Sequence, residues 1–188
     1  ITLNTSTIQM KDIKIMSSLK LVQQLGRNAE SDECYTPSDQ ILPLLKYLDK
    51  SKTYYEATSG ISSQVIEGFK CNNYNIIGSQ GKDFLECTVE DIFDGVITNP
   101  PYSKKDKFIE HCYNLGKPFA LFLPVASFQG GKRGQMFMDY GMSALVYNNR
   151  VDFTGGGAPH FGNAWFMWGL MPANTIQWVN NAKFNKRP

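Results

Sequence analysis

Residues 95–123 read GVITNPPYSKKDKFIEHCYNLGKPFALFL. The stretch opens with a short β-forming run, Gly95-Val96-Ile97-Thr98, and breaks at Asn99-Pro100-Pro101-Tyr102. It then predicts a helix from Asp106 to Leu115 ahead of Pro118-Phe119-Ala120-Leu121-Phe122-Leu123. That last run is nearly all apolar, as befits a central strand covered on both faces. Strand, loop, helix and strand form the unit of a parallel sheet, because parallel neighbours need a crossover long enough to bring the chain back.

The alternation extends upstream. Thr53 to Thr58 is rich in β-forming residues, Ser59-Gly60 breaks it, Ser62 to Phe69 reads as a helix and Tyr74-Asn75-Ile76-Ile77 as the next strand. Before them, Ser38 is placed to cap a helix over Ile41, Leu42, Leu44, Leu45 and Leu48, with Pro43 near its first turn. Residues 8–25 carry an apolar stripe closed by Gly26, which predicts an N-terminal helical extension over 1–34 and a main domain over 35–188. Downstream, Ala144 to Tyr147, Asn163 to Leu170 and Thr175 to Val179 are strand-like, with little helix between the last two, which fits an antiparallel pair, and Gly155-Gly156-Gly157 marks a flexible connector. The expected fold class is α/β, a doubly wound and mostly parallel sheet with an antiparallel strand pair at its C-terminal end.

Composition narrows the function classes. At 188 residues and 42% hydrophobic content the chain can bury one ordinary core. No stretch approaches the roughly 18 apolar residues of a membrane-spanning helix, so no membrane partner is expected. The N-terminus lacks a secretory pattern, and the reading is of a soluble, cytoplasmic protein. Cys34, Cys71, Cys87 and Cys112 are unevenly spaced and only two histidines are present, which argues against a metal site. A net charge of +2 neither requires nor opposes a nucleic-acid partner.

The chemistry concentrates at Asn99-Pro100-Pro101-Tyr102. Two prolines fix their torsions and lack amide protons, so the Pro100 carbonyl can be held toward a cleft at the strand's carboxyl end. Asn99 adds a side-chain carbonyl acceptor. Two rigid acceptors suit both hydrogens of a planar amine, and Tyr102 offers an aromatic face for the ring that carries it. An aromatic amine is a poor nucleophile until its nitrogen pyramidalises, a geometry that such acceptors favour as positive charge develops. Positioning supplies the rest, with no metal, acid–base dyad or covalent nucleophile.

An Asn-Pro-Pro-Tyr string after an apolar strand resembles the catalytic motif of the S-adenosylmethionine-dependent amino-methyltransferases, above all those acting on the exocyclic amine of adenine in DNA. Tyr35-Thr36-Pro37, then Glu56-Ala57-Thr58-Ser59-Gly60, then Asn99 to Tyr102 follow an order similar to that of the gamma group. The resemblance spans about residues 35 to 170. It implies a Rossmann-like methyltransferase domain over 35–188, S-adenosylmethionine as cofactor and DNA as substrate, with the target base flipped out of the helix. Carried over by position, it places Thr36 and Pro37 along the cofactor's methionine end. Glu56, Thr58 and Gly60 fall in the loop beneath it, and Asp83 with Phe84 beside its adenine. Asn99, Pro100, Pro101 and Tyr102 would hold the target base, and Phe161 would face it from the other side.

Two positions depart from the family pattern. Gly60-Ile61-Ser62 has a serine where a second glycine is usual, and Ile76-Ile77 is followed by Gly78-Ser79-Gln80 instead of a ribose-gripping acid. The motif is also compatible with RNA or protein-glutamine substrates, and the departures with a non-catalytic binding protein that has lost the cofactor. Lys104, Lys105 and Lys107 follow the tetrapeptide, and Lys132-Arg133 sit in an expected Gly-flanked loop, where both clusters could meet phosphates around an extruded base. After residue 170 the chain has room for one strand and a basic tail, Lys183 to Pro188. This predicts short or relaxed site specificity, or a protein partner for recognition. His160 has no assigned role, and the Trp165 to Trp168 segment reads as core.

Overall fold

The computed structural model of the chain describes residues 36–59, 63–79, 81–151, 153 and 161–182. The expected helical extension over 1–34, the loop residues Gly60 to Ser62, the connector 155–157, His160 and the basic tail lie outside them.

Among the described residues seven strands form one sheet: β1 (Thr53–Glu56), β2 (Asn75–Gly78), β3 (Gly95–Thr98), β4 (Phe119–Pro124), β5 (Ser143–Tyr147), β6 (Asn163–Trp168) and β7 (Ile176–Val179). Their order is β2-β1-β3-β4-β6-β5-β7. Strands β2, β1, β3 and β4 are mutually parallel, the βαβ arrangement expected from the alternation around residues 95–123. An antiparallel pair occurs toward the C-terminal end as expected, but it is β5 with β6, Ser143 opposite Met167 and Val146 opposite Ala164, and not the last two strands, because β7 pairs with β5. The topology adds two details. Strand β6 is wedged between β4 and β5 and antiparallel to both, and β7 runs parallel to β5 at the edge.

Period-two burial explains why β4 is central. Phe119, Leu121 and Leu123 enter one core with Val96 and Phe166, while Ala120 and Phe122 enter the other with Ile97 and Trp165. A strand apolar on both faces is stable only with helices on each side. On the first face lie α2 (Lys105–Leu115) and α3 (Gly131–Tyr140), the former burying Phe108, Ile109, Cys112 and Leu115. On the second lie α1 (Gln64–Cys71) and the 3-10 helix Ser38–Tyr47, which bring Val65, Phe69, Ile41 and Leu44. Helix α1 begins at Ser63, whose hydroxyl accepts from the Ile66 amide, and α2 ends at Gly116 in the left-handed conformation. One buried polar cluster pins the 3-10 helix to the sheet. The Tyr147 hydroxyl donates to the Gln40 carbonyl at 2.7 Å, and the Trp165 indole N–H reaches both that carbonyl and the Tyr147 oxygen.

Two local expectations are corrected. The segment over residues 38–47 is a 3-10 helix capped at Pro37, with Pro43 in its interior instead of its first turn. Pro43 has no amide to give an i−4 carbonyl, so the chain winds tighter. Lys132 and Arg133 are not in a loop but in the first turn of α3. Glycines at 131 and 134 lower the intrinsic helix preference, yet Phe137 stacks on Phe166 with ring centroids 6.0 Å apart, and this packing outweighs it.

Candidate active site

Strand order reverses between β1 and β3. The connection from β1 goes to β2 on one side, and β3 lies on the other. A crevice outside the carboxyl ends of the strands is expected at such a switch point. The residues delivered there are Glu56 from β1 and Thr98 with Asn99-Pro100-Pro101-Tyr102 from β3. Strand β6, being antiparallel, brings its first residue, Asn163, to the same edge opposite Pro124, the last residue of β4.

Glu56 is 2% exposed and organises the switch point. Its Oε1 accepts from the Thr98 hydroxyl at 2.5 Å, the Thr58 hydroxyl at 3.0 Å and the Thr58 amide at 3.2 Å. Its Oε2 accepts from the Ser63 hydroxyl at 3.3 Å. Burial raises the carboxyl above its ordinary value, and the bonds from Thr98, Thr58 and Ser63 pull against that rise. Thr58 Oγ1 also lies 2.8 Å from Thr98 Oγ1 and 3.1 Å from the Asn99 carbonyl. A hydroxyl has a single proton, so these contacts share it among three acceptors. The loop after β1 and the start of the tetrapeptide are thereby joined.

Next to that loop, Gly78 and Ser79 close β2. A Cβ on Gly78 would lie 2.4 Å from the Ser59 hydroxyl. The Ser79 amide donates to that hydroxyl at 2.7 Å, and the Ser79 hydroxyl donates to the Ser59 carbonyl at 3.0 Å. Ser79 thus ties the end of β2 to the β1 loop.

The tetrapeptide leads straight into structure. Pro100 is buried, and Pro101 precedes the 3-10 turn Tyr102–Lys104, which runs into α2. The Tyr102 ring meets Phe161 edge to face, with centroids 5.7 Å apart and planes at 72°. Its hydroxyl accepts from the Asn163 side-chain amide at 2.9 Å. The sequence reading missed Asn163, although an amide heading the apolar run Ala164 to Met167 is a legible signal, since a polar side chain there needs a reason. It also missed Thr98 and Ser79.

The remaining expected residues divide. Thr36 is buried, and its hydroxyl makes no hydrogen bond, an orphan of the kind that a ligand can satisfy. Asp83 is exposed and its carboxylate accepts from the Leu85 amide. Phe84 is 1% exposed and its ring lies in the core among Tyr55, Phe108 and His111. Arg133 is turned inward to the Asp106 carboxylate, at 2.6 Å, and to the carbonyls of Ser127 and Gln129. Lys132 pairs with Glu110 at 2.7 Å on an exposed face, and Lys105 donates to the Tyr102 carbonyl at 3.0 Å. Lys104 is exposed.

Solved structures share this architecture. The modification subunit of a provisionally assigned type I restriction enzyme from Vibrio vulnificus YJ016 matches over 100% of this chain, with a TM-score of 0.56 at 12% identity. This chain spans about half of that subunit, 55% of its length. A provisionally assigned class I S-adenosylmethionine-dependent methyltransferase from Listeria monocytogenes matches over 90% of this chain and 72% of its own, with a TM-score of 0.57 at 12% identity. The fold is the Rossmann-like methyltransferase fold. No protein-family model matches the chain, and no curated protein matches it. Within this fold the carboxyl edge carrying Glu56 and Asn99 to Tyr102 is the candidate site.

Proposed function

We propose that this chain transfers a methyl group from S-adenosylmethionine to the exocyclic amine of adenine in DNA. The observation that carries the reading is the placement of Asn99-Pro100-Pro101-Tyr102 at the carboxyl end of β3, beside the switch point that Glu56 organises. When bound, S-adenosylmethionine supplies a methyl group on a positively charged sulfur. The buried Thr36 hydroxyl would meet its methionine end, the loop residues that Glu56 holds would lie beneath it, and the exposed Asp83 carboxylate, which accepts from the Leu85 amide, has capacity to accept from its adenine amine as well. Phe84 supports that position from the core.

The protein's own contribution is binding and alignment. The Asn99 side-chain carbonyl and the Pro100 carbonyl accept the two N–H bonds of the target amine and stabilise charge as its nitrogen pyramidalises. Tyr102 supplies the stacking face. Because the Tyr102 and Phe161 rings already touch, a base between them requires Phe161 to swing aside. Phosphate contact falls first to Lys104 and Lys107. Lys132 can exchange its exposed and weak pairing with Glu110 for a phosphate, whereas Arg133 would have to break several bonds to do so. We propose further that a protein partner shares in target recognition, in keeping with the likeness to a modification subunit.

Labelled-methyl transfer to duplex DNA, single-stranded DNA, RNA and protein tests the reading, with Asn99→Ala as control. Label in adenine of DNA that falls roughly 100-fold or more in Asn99→Ala is the expected result. Label in RNA or in protein glutamine would keep the chemistry and reject the substrate. The absence of label in every substrate would favour a second reading, a non-catalytic binding protein. Gly78-Ser79, standing where the resemblance implies a ribose-gripping acid, favours that alternative.

A further inference from the structure

Asn163 is wholly buried, heads a strand of the sheet, and has one end of its amide on the Tyr102 hydroxyl. Its other end, Oδ1, is buried with no hydrogen-bond partner. An amide that served only to fill space at this position would be less favourable than an aliphatic side chain, since the orphan carbonyl loses its hydration and gains nothing. The part of Asn163 that does make a bond makes it to the aromatic residue of the tetrapeptide, 61 positions earlier in the chain.

We propose that Asn163 is a positioning residue that holds the hydroxyl end of Tyr102, and so fixes where the long axis of the ring lies against the target base relative to Asn99. The inference rests on the methyl-transfer reading above. Tyr102 belongs to a loop and a short 3-10 turn, whereas Asn163 belongs to β6, hydrogen-bonded on both sides by β4 and β5. A hydroxyl held from a strand that is paired on both sides fixes the far end of the ring axis independently of the loop that carries Tyr102. Phe161, two residues before Asn163, meets the same ring at its edge when no base is bound, and the bond from Asn163 is a restraint that persists when Phe161 swings aside. Being antiparallel, β6 presents its first residue at the edge where the parallel strands present their last.

The test uses the full chain as wild type, Asn163→Leu, Asn163→Asp, Tyr102→Phe, and the double variant Asn163→Leu with Tyr102→Phe. Single-turnover methyl transfer to duplex DNA and cofactor affinity are measured for each, alongside NMR of 13C-labelled tyrosine rings. The Tyr102 signals are identified by their loss in Tyr102→Phe. In Asn163→Leu the single-turnover rate should fall about tenfold at unchanged cofactor affinity, with the Tyr102 ring signals shifted. Asn163→Asp restores a bond to the hydroxyl and should return part of the rate, which a purely structural role would not predict. The double variant should be no slower than the slower single variant, since both remove the same bond. A wild-type rate in Asn163→Leu, multiplied losses in the double variant, or unmoved Tyr102 signals would overturn the proposal. Should Asn163→Leu fail to fold, Asn163→Asp and Tyr102→Phe carry the same comparison. If the wild-type chain labels no DNA, the methyl-transfer reading fails, and the ring signals alone decide whether Asn163 holds Tyr102.

Discussion

At the scale of single residues, Glu56 has the clearest physical consequence. It is buried, it is bonded by Thr98, Thr58 and Ser63, and its carboxyl lies above its ordinary value because burial disfavours the charge. In the unfolded chain a glutamate titrates near pH ~4.3. Between that value and the raised folded one, the folded state binds more protons than the unfolded state. Stability is therefore full at low pH and is lost as pH rises through the folded pKa. Glu56→Gln keeps an acceptor for the two threonines and offers an amide to Ser63. The difference in Tm, variant minus wild type, should grow as pH is raised from about 4 toward 7. Superimposable Tm profiles would mean that the hydroxyl bonds offset burial in full. The sequence shows this carboxylate at the end of a strand, but not its partners, since Thr98 is 42 positions away.

Between elements, α1 and the 3-10 helix Ser38–Tyr47 approach closely at Gly68. A Cβ on Gly68 of α1 would lie 2.6 Å from the Ser38 carbonyl and 2.9 Å from Ile41 Cγ1. Alanine would add about 1 kcal/mol of helix preference, but overpacking typically costs ~1–3 kcal/mol. The opponent here is a backbone carbonyl that cannot rotate away. Gly68→Ala should therefore be destabilising by roughly 1–2 kcal/mol in urea unfolding. A stabilised variant would show that the 3-10 helix slides readily over α1. Helical periodicity alone suggested an ordinary α-helix over residues 41–48. It could not reveal that Pro43 lies mid-element, because the start of a helix depends on which residue the sheet lets it dock by. Gln40, held by Tyr147 and Trp165, sets that docking.

For the molecule as a whole, ligand binding and folding are linked. If S-adenosylmethionine binds the folded chain alone, a concentration 100 times its Kd adds about 2.7 kcal/mol of stability. In a chain of this size that raises Tm by about 5–10 °C. A flat Tm across the titration would favour the binding-protein reading and would turn attention to the Ser59–Ser79 connection at the end of β2. The alternation of residues 53–123 by itself determined the parallel half of the sheet, since period-two and helical patterns are local and β4 is apolar on both faces. The tetrapeptide and its place after a strand were likewise local and legible. Long-range packing, by contrast, inserts β6 between β4 and β5, makes residues 131–140 helical despite Gly131 and Gly134, and brings Asn163 to Tyr102. Those outcomes depend on strand pairing and burial between distant segments, energies that no window of sequence contains.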